Sequence, residues 1–226
     1  MKVKKLHEWE VDYREAVRIQ DRLKERLVLR GPVPVKMEIA AGADISYSKG
    51  DNLFFAAVVL LRLPDFEVVE EASSSGRVRF PYIPGLLTFR EGPILCRAFE
   101  KLRRVPDVVL FDGQGIAHPR GFGLASHMGL LLDIPAVGCA KKRLVGAHGD
   151  VGEEPGDHAE LFLDGKIVGA ALRTKEKVKP VFVSPGHKIG LEGAAAAILQ
   201  CSAGYRIPEP IRKAHLAVNR LRLESS

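Results

Sequence analysis

Three apolar runs lie close together at 38–47 (EIAAGADISY), 53–63 (LFFAAVVLLRL) and 66–73 (FEVVEEAS). A parallel crossover needs about a dozen residues or more, so these short connections predict an antiparallel meander. Few other features narrow the choice of fold as much. After the meander, helical spacing is expected at roughly 93–104, 122–132, 190–200 and 208–222, with strands at 107–112, 135–140 and 181–184. The run LFLDGKIVGAALRT reads as a hairpin turning at Asp164–Gly165. Before the meander, Asp12 and Glu15 form a capping box for a helix over Tyr13–Leu29, which GPVP at 31–34 ends. The order βββ-α-β-α-β predicts an α/β fold: one mixed sheet, meander plus parallel strands, with helices on both faces.

The chain of 226 residues suits a single domain over 1–226, and residues 146–160 read as a loop. Its cysteines, Cys96, Cys139 and Cys201, form no CxxC pair, which argues against a disulfide framework and a structural zinc. The charged start, MKVKKLHEWE, does not resemble a signal peptide, and no apolar run reaches about 18 residues. A soluble, cytoplasmic monomer is expected. Net charge is +6, and 173–188 and 206–222 each hold five Lys/Arg against one Glu. Such clusters suit a polyanion such as nucleic acid, or serve only as solvated surface.

Asp44 interrupts a strand pattern, where aspartate is disfavoured; a bulge would explain it equally. Asp112 ends VVLF ahead of Gly113-Gln114-Gly115, where α/β sheets place ligands and where Asp–Gly also simply turns the chain. Glu91 closes FPYIPGLLTFREGP (80–93) and could complete a capping box with Thr88. Pro93 weakens that explanation, because it lacks the N–H for a first helical bond. A dinucleotide fingerprint at DGQGIAHPRG fails, since His118 replaces the third glycine. Ser126–His127 are sequence neighbours and no GxSxG elbow exists, so a serine triad has no support. Lys141, Lys142 and Arg143 follow a strand end and could meet a phosphate. Three carboxylates on separate elements, beside basic groups and without thiols, suit Mg²⁺ or Mn²⁺ and phosphodiester hydrolysis.

The blocks GADISY, FPYIPGLLTFREGP, VVLFDGQGIAHPRGFGLASHMGL, GCAKKRL, FVSPGH and RIPEPIRKAH resemble, in order and spacing, the endonuclease V family. The likeness runs from about residue 39 to 222, and no catalytic position departs from the pattern. It implies a ribonuclease-H-like fold and a Mg²⁺-dependent repair nuclease, with Mn²⁺ able to substitute. The implied substrate is DNA containing deoxyinosine or other deaminated bases. The implied cut is at the second phosphodiester bond 3′ to the lesion, leaving 3′-hydroxyl and 5′-phosphate ends. Asp44, Glu91 and Asp112 match the metal-binding carboxylates, Lys141 the lysine near the scissile phosphate, and His215 the C-terminal active-site histidine. Pro81, Tyr82, Ile83 and Pro84 match the DNA wedge; Leu87, Gly113, Gly115, His118 and Leu144 fall near the lesion pocket. Inosine-containing RNA is an alternative substrate, and a non-catalytic nucleic-acid-binding module is an alternative role.

Overall fold

The computed structural model describes residues 1–31, 37–48 and 52–225. Among the described residues eight strands, numbered β1 to β8 along the chain, form one mixed sheet in the order β3-β2-β1-β4-β5-β8-β7-β6. The meander is present as expected: β1 (Ile39–Tyr47), β2 (Leu53–Arg62) and β3 (Glu67–Arg77) pair antiparallel. Then β4 (Val108–Phe111) and β5 (Ala136–Ala140) continue the sheet parallel to β1. This is the ribonuclease-H-like arrangement. Beyond it, β6 (His158–Leu163) and β7 (Lys166–Leu172) form the hairpin, joined to β5 through β8 (Val181–His187). The turn residues Asp164 and Gly165 both have positive φ, 50° and 72°, as a two-residue hairpin needs.

Burial assigns the helices to faces. The even residues Phe54, Ala56, Val58 and Leu60 of β2 face α2 (Leu87–Glu100) and α3 (Leu124–Leu132). The odd residues Phe55, Ala57, Val59 and Leu61 face α5 (Glu209–Glu224), through Ala214, Ala217 and Val218. Period-2 alternation with both faces apolar is what a strand covered on both sides requires. A further helix, α4 (Leu191–Gln200), covers Val137, Cys139 and Val183 through Ala194, Ala197 and Ile198. No helix among the described residues is long and apolar enough to cross a membrane.

Two helix boundaries differ from expectation. The first helix, α1 (Tyr13–Lys24), starts as predicted, with Asp12 Oδ1 accepting from the Glu15 amide at 2.8 Å, but ends before Leu29. The Val28 amide instead donates to His187 Nδ1 at 3.3 Å, which draws the chain off the helix axis. The expected terminator, GPVP, extends into residues 32–34, outside the described residues. The second difference matters more: α2 begins at Leu87, six residues before Pro93, and carries that proline in its interior. Interior proline costs about 3 kcal/mol. Burial of Phe89 in one apolar cluster and of Ile94, Leu95, Ala98 and Phe99 in another offsets it, at about 1.5–3 kcal/mol for each large apolar side chain. Thr88 is not the cap either; Leu86 occupies that place without a side-chain bond. Glu91 therefore sits on a helix, not in a loop.

One glycine sets how closely α5 approaches the sheet. A Cβ on Gly42 would lie 1.9 Å from the Pro210 carbonyl oxygen and 2.6 Å from the Ile211 nitrogen. Backbone meets backbone here, so no side chain can move aside. Gly42→Ala is expected to destabilise the protein by about 1–3 kcal/mol or more through overpacking. Urea denaturation of the variant beside the wild type would measure it, with the loss appearing as a lower midpoint.

Candidate active site

The parallel register of β1 and β4, both interior strands, pairs Ala43 with Phe111, so Asp44 and Asp112 follow as neighbours where β4 ends. Adjacent strands lie about 4.8 Å apart, and the Asp112 amide donates to the Ala43 carbonyl at 3.5 Å, so the two aspartates leave neighbouring backbones. Glu91 approaches from the second turn of α2, and both aspartates act electrostatically on it. Burial first, then the Asp44 and Asp112 charges, push its carboxyl up to about 8, with Arg90 opposing. Asp44 is also raised, mainly by burial and further by Asp112, against the hydrogen bond from His215.

Two cations or donors reach the aspartates from outside. Lys141, the residue after β5, places Nζ 2.5 Å from Asp112 Oδ2. On α5, His215 Nδ1 lies 2.7 Å from Asp44 Oδ2. A carboxylate only accepts, so Nδ1 carries the proton. The other ring nitrogen, Nε2, then accepts from Asn219 Nδ2 at 3.0 Å, and Asn219 Oδ1 accepts from Ser46 Oγ at 3.2 Å. Residues Asp44, His215, Asn219 and Ser46 thus form one hydrogen-bonded chain between β1 and α5.

Among the described residues, no three His, Cys, Asp or Glu side chains form a ready-made metal cluster. The donor chemistry nevertheless fits a divalent cation. Asp44 and Asp112 both raise the proton affinity of Glu91, and Asp112 raises that of Asp44, in a partly desolvated place; hard oxygen donors without thiols match Mg²⁺ or Mn²⁺.

The Pro81–Pro84 loop precedes α2, the helix that carries Glu91. Tyr82 is 70% exposed, the Pro81 and Pro84 rings are exposed, and Ile83 is half-buried. The loop is pinned at both ends. Ahead of it, Phe80 stacks on Phe89 at 5.5 Å, and its carbonyl accepts from Arg90 Nη1 at 3.1 Å. Behind it, the Gly85 carbonyl accepts from Gln20 Nε2 at 3.0 Å and from Arg120 Nη2. His118 is buried close to this anchor. Its Nδ1 accepts from the Arg120 amide at 3.2 Å, and burial holds the ring neutral, its pKa lowered to about 4.

The expected pocket residues lie in different settings. Leu87 opens α2, partly exposed. A Cβ on Gly113 would touch Leu124 at 3.3 Å, whereas Gly115 is packed on β8, where a Cβ would lie 2.1 Å from the Pro185 oxygen. Leu144 is 54% exposed, beyond Lys141.

A sequence profile of endonuclease V matches residues 21–216. The endonuclease V of Dehalococcoides mccartyi (strain CBDB1) is 46% identical over 98% of this chain and 99% of that protein. The chain belongs to the endonuclease V family. The crystal structure of endonuclease V from Streptomyces avermitilis is 40% identical, with a TM-score of 0.93, over 100% of this chain and 99% of that one. Endonuclease V of Ciona intestinalis, in complex with a 24mer DNA containing an inosine followed by a ribo-adenosine, is 28% identical. Its TM-score is 0.84, over 94% of this chain and 98% of that one.

Within this endonuclease V fold, sequence reading missed Gln20, Arg120 and Asn219. Gln20 is 1% exposed inside the amphipathic α1, and a buried glutamine on an apolar stripe was the available signal. Its Oε1 accepts from Arg120 Nε at 2.5 Å, which binds the two anchors of Gly85 to each other. Asn219 follows His215 by one helical turn, a spacing that brings side chains together.

The raised Glu91 proton affinity has a sign that can be measured in metal-free protein. Its folded pKa lies above the reference 4.5, so stability from the neutral form is full below about pH 4.5 and is lost as pH rises towards 8. Glu91→Gln keeps the neutral form throughout. In chelator, the melting temperature of this variant is expected to rise relative to wild type across that window. Parallel profiles would show that Glu91 does not titrate there.

Proposed function

We propose that this endonuclease V is a Mg²⁺-dependent DNA repair nuclease, with Mn²⁺ able to substitute, acting on duplexes that contain deoxyinosine. The observation that carries this reading is the electrostatic coupling of Glu91 to Asp44 and Asp112, with the Lys141 ammonium on Asp112 and an exposed Tyr82 in the loop ahead of the Glu91 helix. In this reading the cut falls at the second phosphodiester bond 3′ to the lesion, leaving 3′-hydroxyl and 5′-phosphate ends. The sequence resemblance supports that position. One domain spanning 1–226 and working as a cytoplasmic monomer completes the proposal.

When bound, a divalent cation would activate water and neutralise charge on the phosphoryl group. Asp44 and Asp112 would hold it, with Glu91 as a third ligand or the acceptor that orients a water. Lys141 would leave Asp112 for a non-bridging oxygen, where an ammonium stabilises developing charge. His215, its Nδ1–H committed to Asp44, would keep that carboxylate oriented.

Inspection requires the base to leave the stack, which costs a few kcal/mol and least for a poorly paired base such as hypoxanthine. Tyr82 would fill the step it vacates, as rigid wedges do elsewhere. Leu87, Gly113, Gly115, His118 and Leu144 would border the extruded base.

A second reading is cleavage at inosine followed by a ribonucleotide. It is favoured by the Ciona intestinalis complex, whose DNA carries a ribo-adenosine after the inosine. Matched inosine oligonucleotides with deoxy- or ribo-adenosine at that position would separate the two by their nicking rates.

Asp44→Ala is expected to lower nicking of an inosine duplex by about 10³-fold or more while preserving lesion binding, and chelation should mimic it. Normal nicking by this variant would end the metal-site assignment. Tyr82→Ala is expected to weaken lesion binding by about 1–3 kcal/mol, the usual worth of a stacked base, and binding to undamaged duplex by less. Gel-shift titrations on both duplexes measure this, and an equal loss on both would reject the wedge.

A further inference from the structure

Lys141 is the first residue beyond β5, so the peptide carrying its side chain leaves the sheet. Pairing with β4 stops at Gly138, opposite Phe111, and pairing with β8 stops at Ala140, opposite Phe182. The strand that could have continued the ladder is preceded by Pro180, which has no N–H to donate. Something else must hold this stretch, because an ammonium on a four-carbon stem is only as well placed as its backbone.

Arg206 supplies the hold. Its Nη2 donates to the Lys141 carbonyl at 2.7 Å and to the Pro180 carbonyl at 3.0 Å, while Nε donates to the Lys179 carbonyl at 2.8 Å. One planar guanidinium thus ties the end of β5 to the segment entering β8. Arg206 is fixed in turn, since its own carbonyl accepts from the buried Thr174 hydroxyl at 2.7 Å. From the other side, Gln114 Nε2 donates to the Lys142 carbonyl at 3.2 Å. Consecutive carbonyls are gripped by separate side chains while the Lys141 ammonium meets Asp112 at 2.5 Å.

We propose that Arg206 is a positioning residue for phosphodiester cleavage, acting through Lys141 and not through contact with nucleic acid. The proposal rests on the nuclease reading above and on the role given there to Lys141. Arg206 is half-buried as a residue and its guanidinium donates to three carbonyls, a geometry that suits the rigid fork of arginine. Lysine would keep the charge but offers a point donor that cannot span all three acceptors.

The test compares wild type, Lys141→Ala, Arg206→Lys and the double variant in single-turnover nicking of an inosine duplex with Mg²⁺. Arg206→Gln is made in parallel, and whichever Arg206 variant melts closer to wild type is the one read. The Arg206 change alone is expected to slow nicking by about 10- to 100-fold, the scale of an ångström-sized misplacement. Binding to the same duplex in chelator, and its salt dependence, should stay within about twofold, because no phosphate contact is lost. Added to Lys141→Ala, it should cost no further factor beyond about twofold, as expected of residues acting as one unit.

A salt slope smaller by about one would mean a direct phosphate contact and overturn the proposal. So would an unchanged rate, or a full multiplicative loss in the Lys141→Ala background. Crystal structures of wild type and the Arg206 variant give a readout independent of activity: the Lys141–Asp112 contact should persist in the first and be lost in the second. Wild type that cannot nick would refute the nuclease reading, whereas a contact retained in the variant would refute the positioning role.

Discussion

Like charges gathered where an interior strand of an apolar sheet ends repel, and much of the local architecture surrounding Asp44, Glu91 and Asp112 answers that repulsion. The parallel pairing of β1 with β4 forces the two aspartates to be neighbours, and α2 adds a third carboxyl. Burial weakens solvent screening, so each charge acts more strongly on the others. Protons on Glu91, the Lys141 ammonium and the His215 N–H then balance what a cation would otherwise neutralise. Each comes from a different element, so the site exists only where β1, β4, β5, α2 and α5 are all in register.

That dependence explains the weight placed on close packing at Gly42. If α5 stood farther from β1, the His215 imidazole would lose Asp44, and Asn219 would lose Ser46. The hydrogen-bonded chain spans one sheet face, while α2 closes the other. The acidic centre is thereby held from both layers at once.

Sequence periodicity made the sheet legible, since the meander and the parallel continuation follow from alternation and connection length. Asp44 and Asp112 were legible for the opposite reason: each breaks a local preference within or at the end of an apolar strand. The start of α2 was not, because local rules place a helix after Pro93, and only tertiary burial of Phe89 and its neighbours reveals that the proline is tolerated. Gln20 and Arg120 were invisible for a related reason. They lie a hundred residues apart, and their shared acceptor, the Gly85 carbonyl, belongs to the backbone and leaves no trace in residue identity.

The double pinning of the 81–84 loop has a thermodynamic consequence. A free loop must be ordered when a partner binds, and that conformational entropy is subtracted from affinity on every encounter. Here Arg90 on Phe80, with Gln20 and Arg120 on Gly85, fixes the loop ends as the protein folds. In a wedge role, Tyr82 would then meet every base step already in position. The variable part of the free energy would lie in the nucleic acid: how readily a given step unstacks. Selectivity would be set by the weakness of the damaged pair, with the protein acting as a stiff and nearly invariant probe.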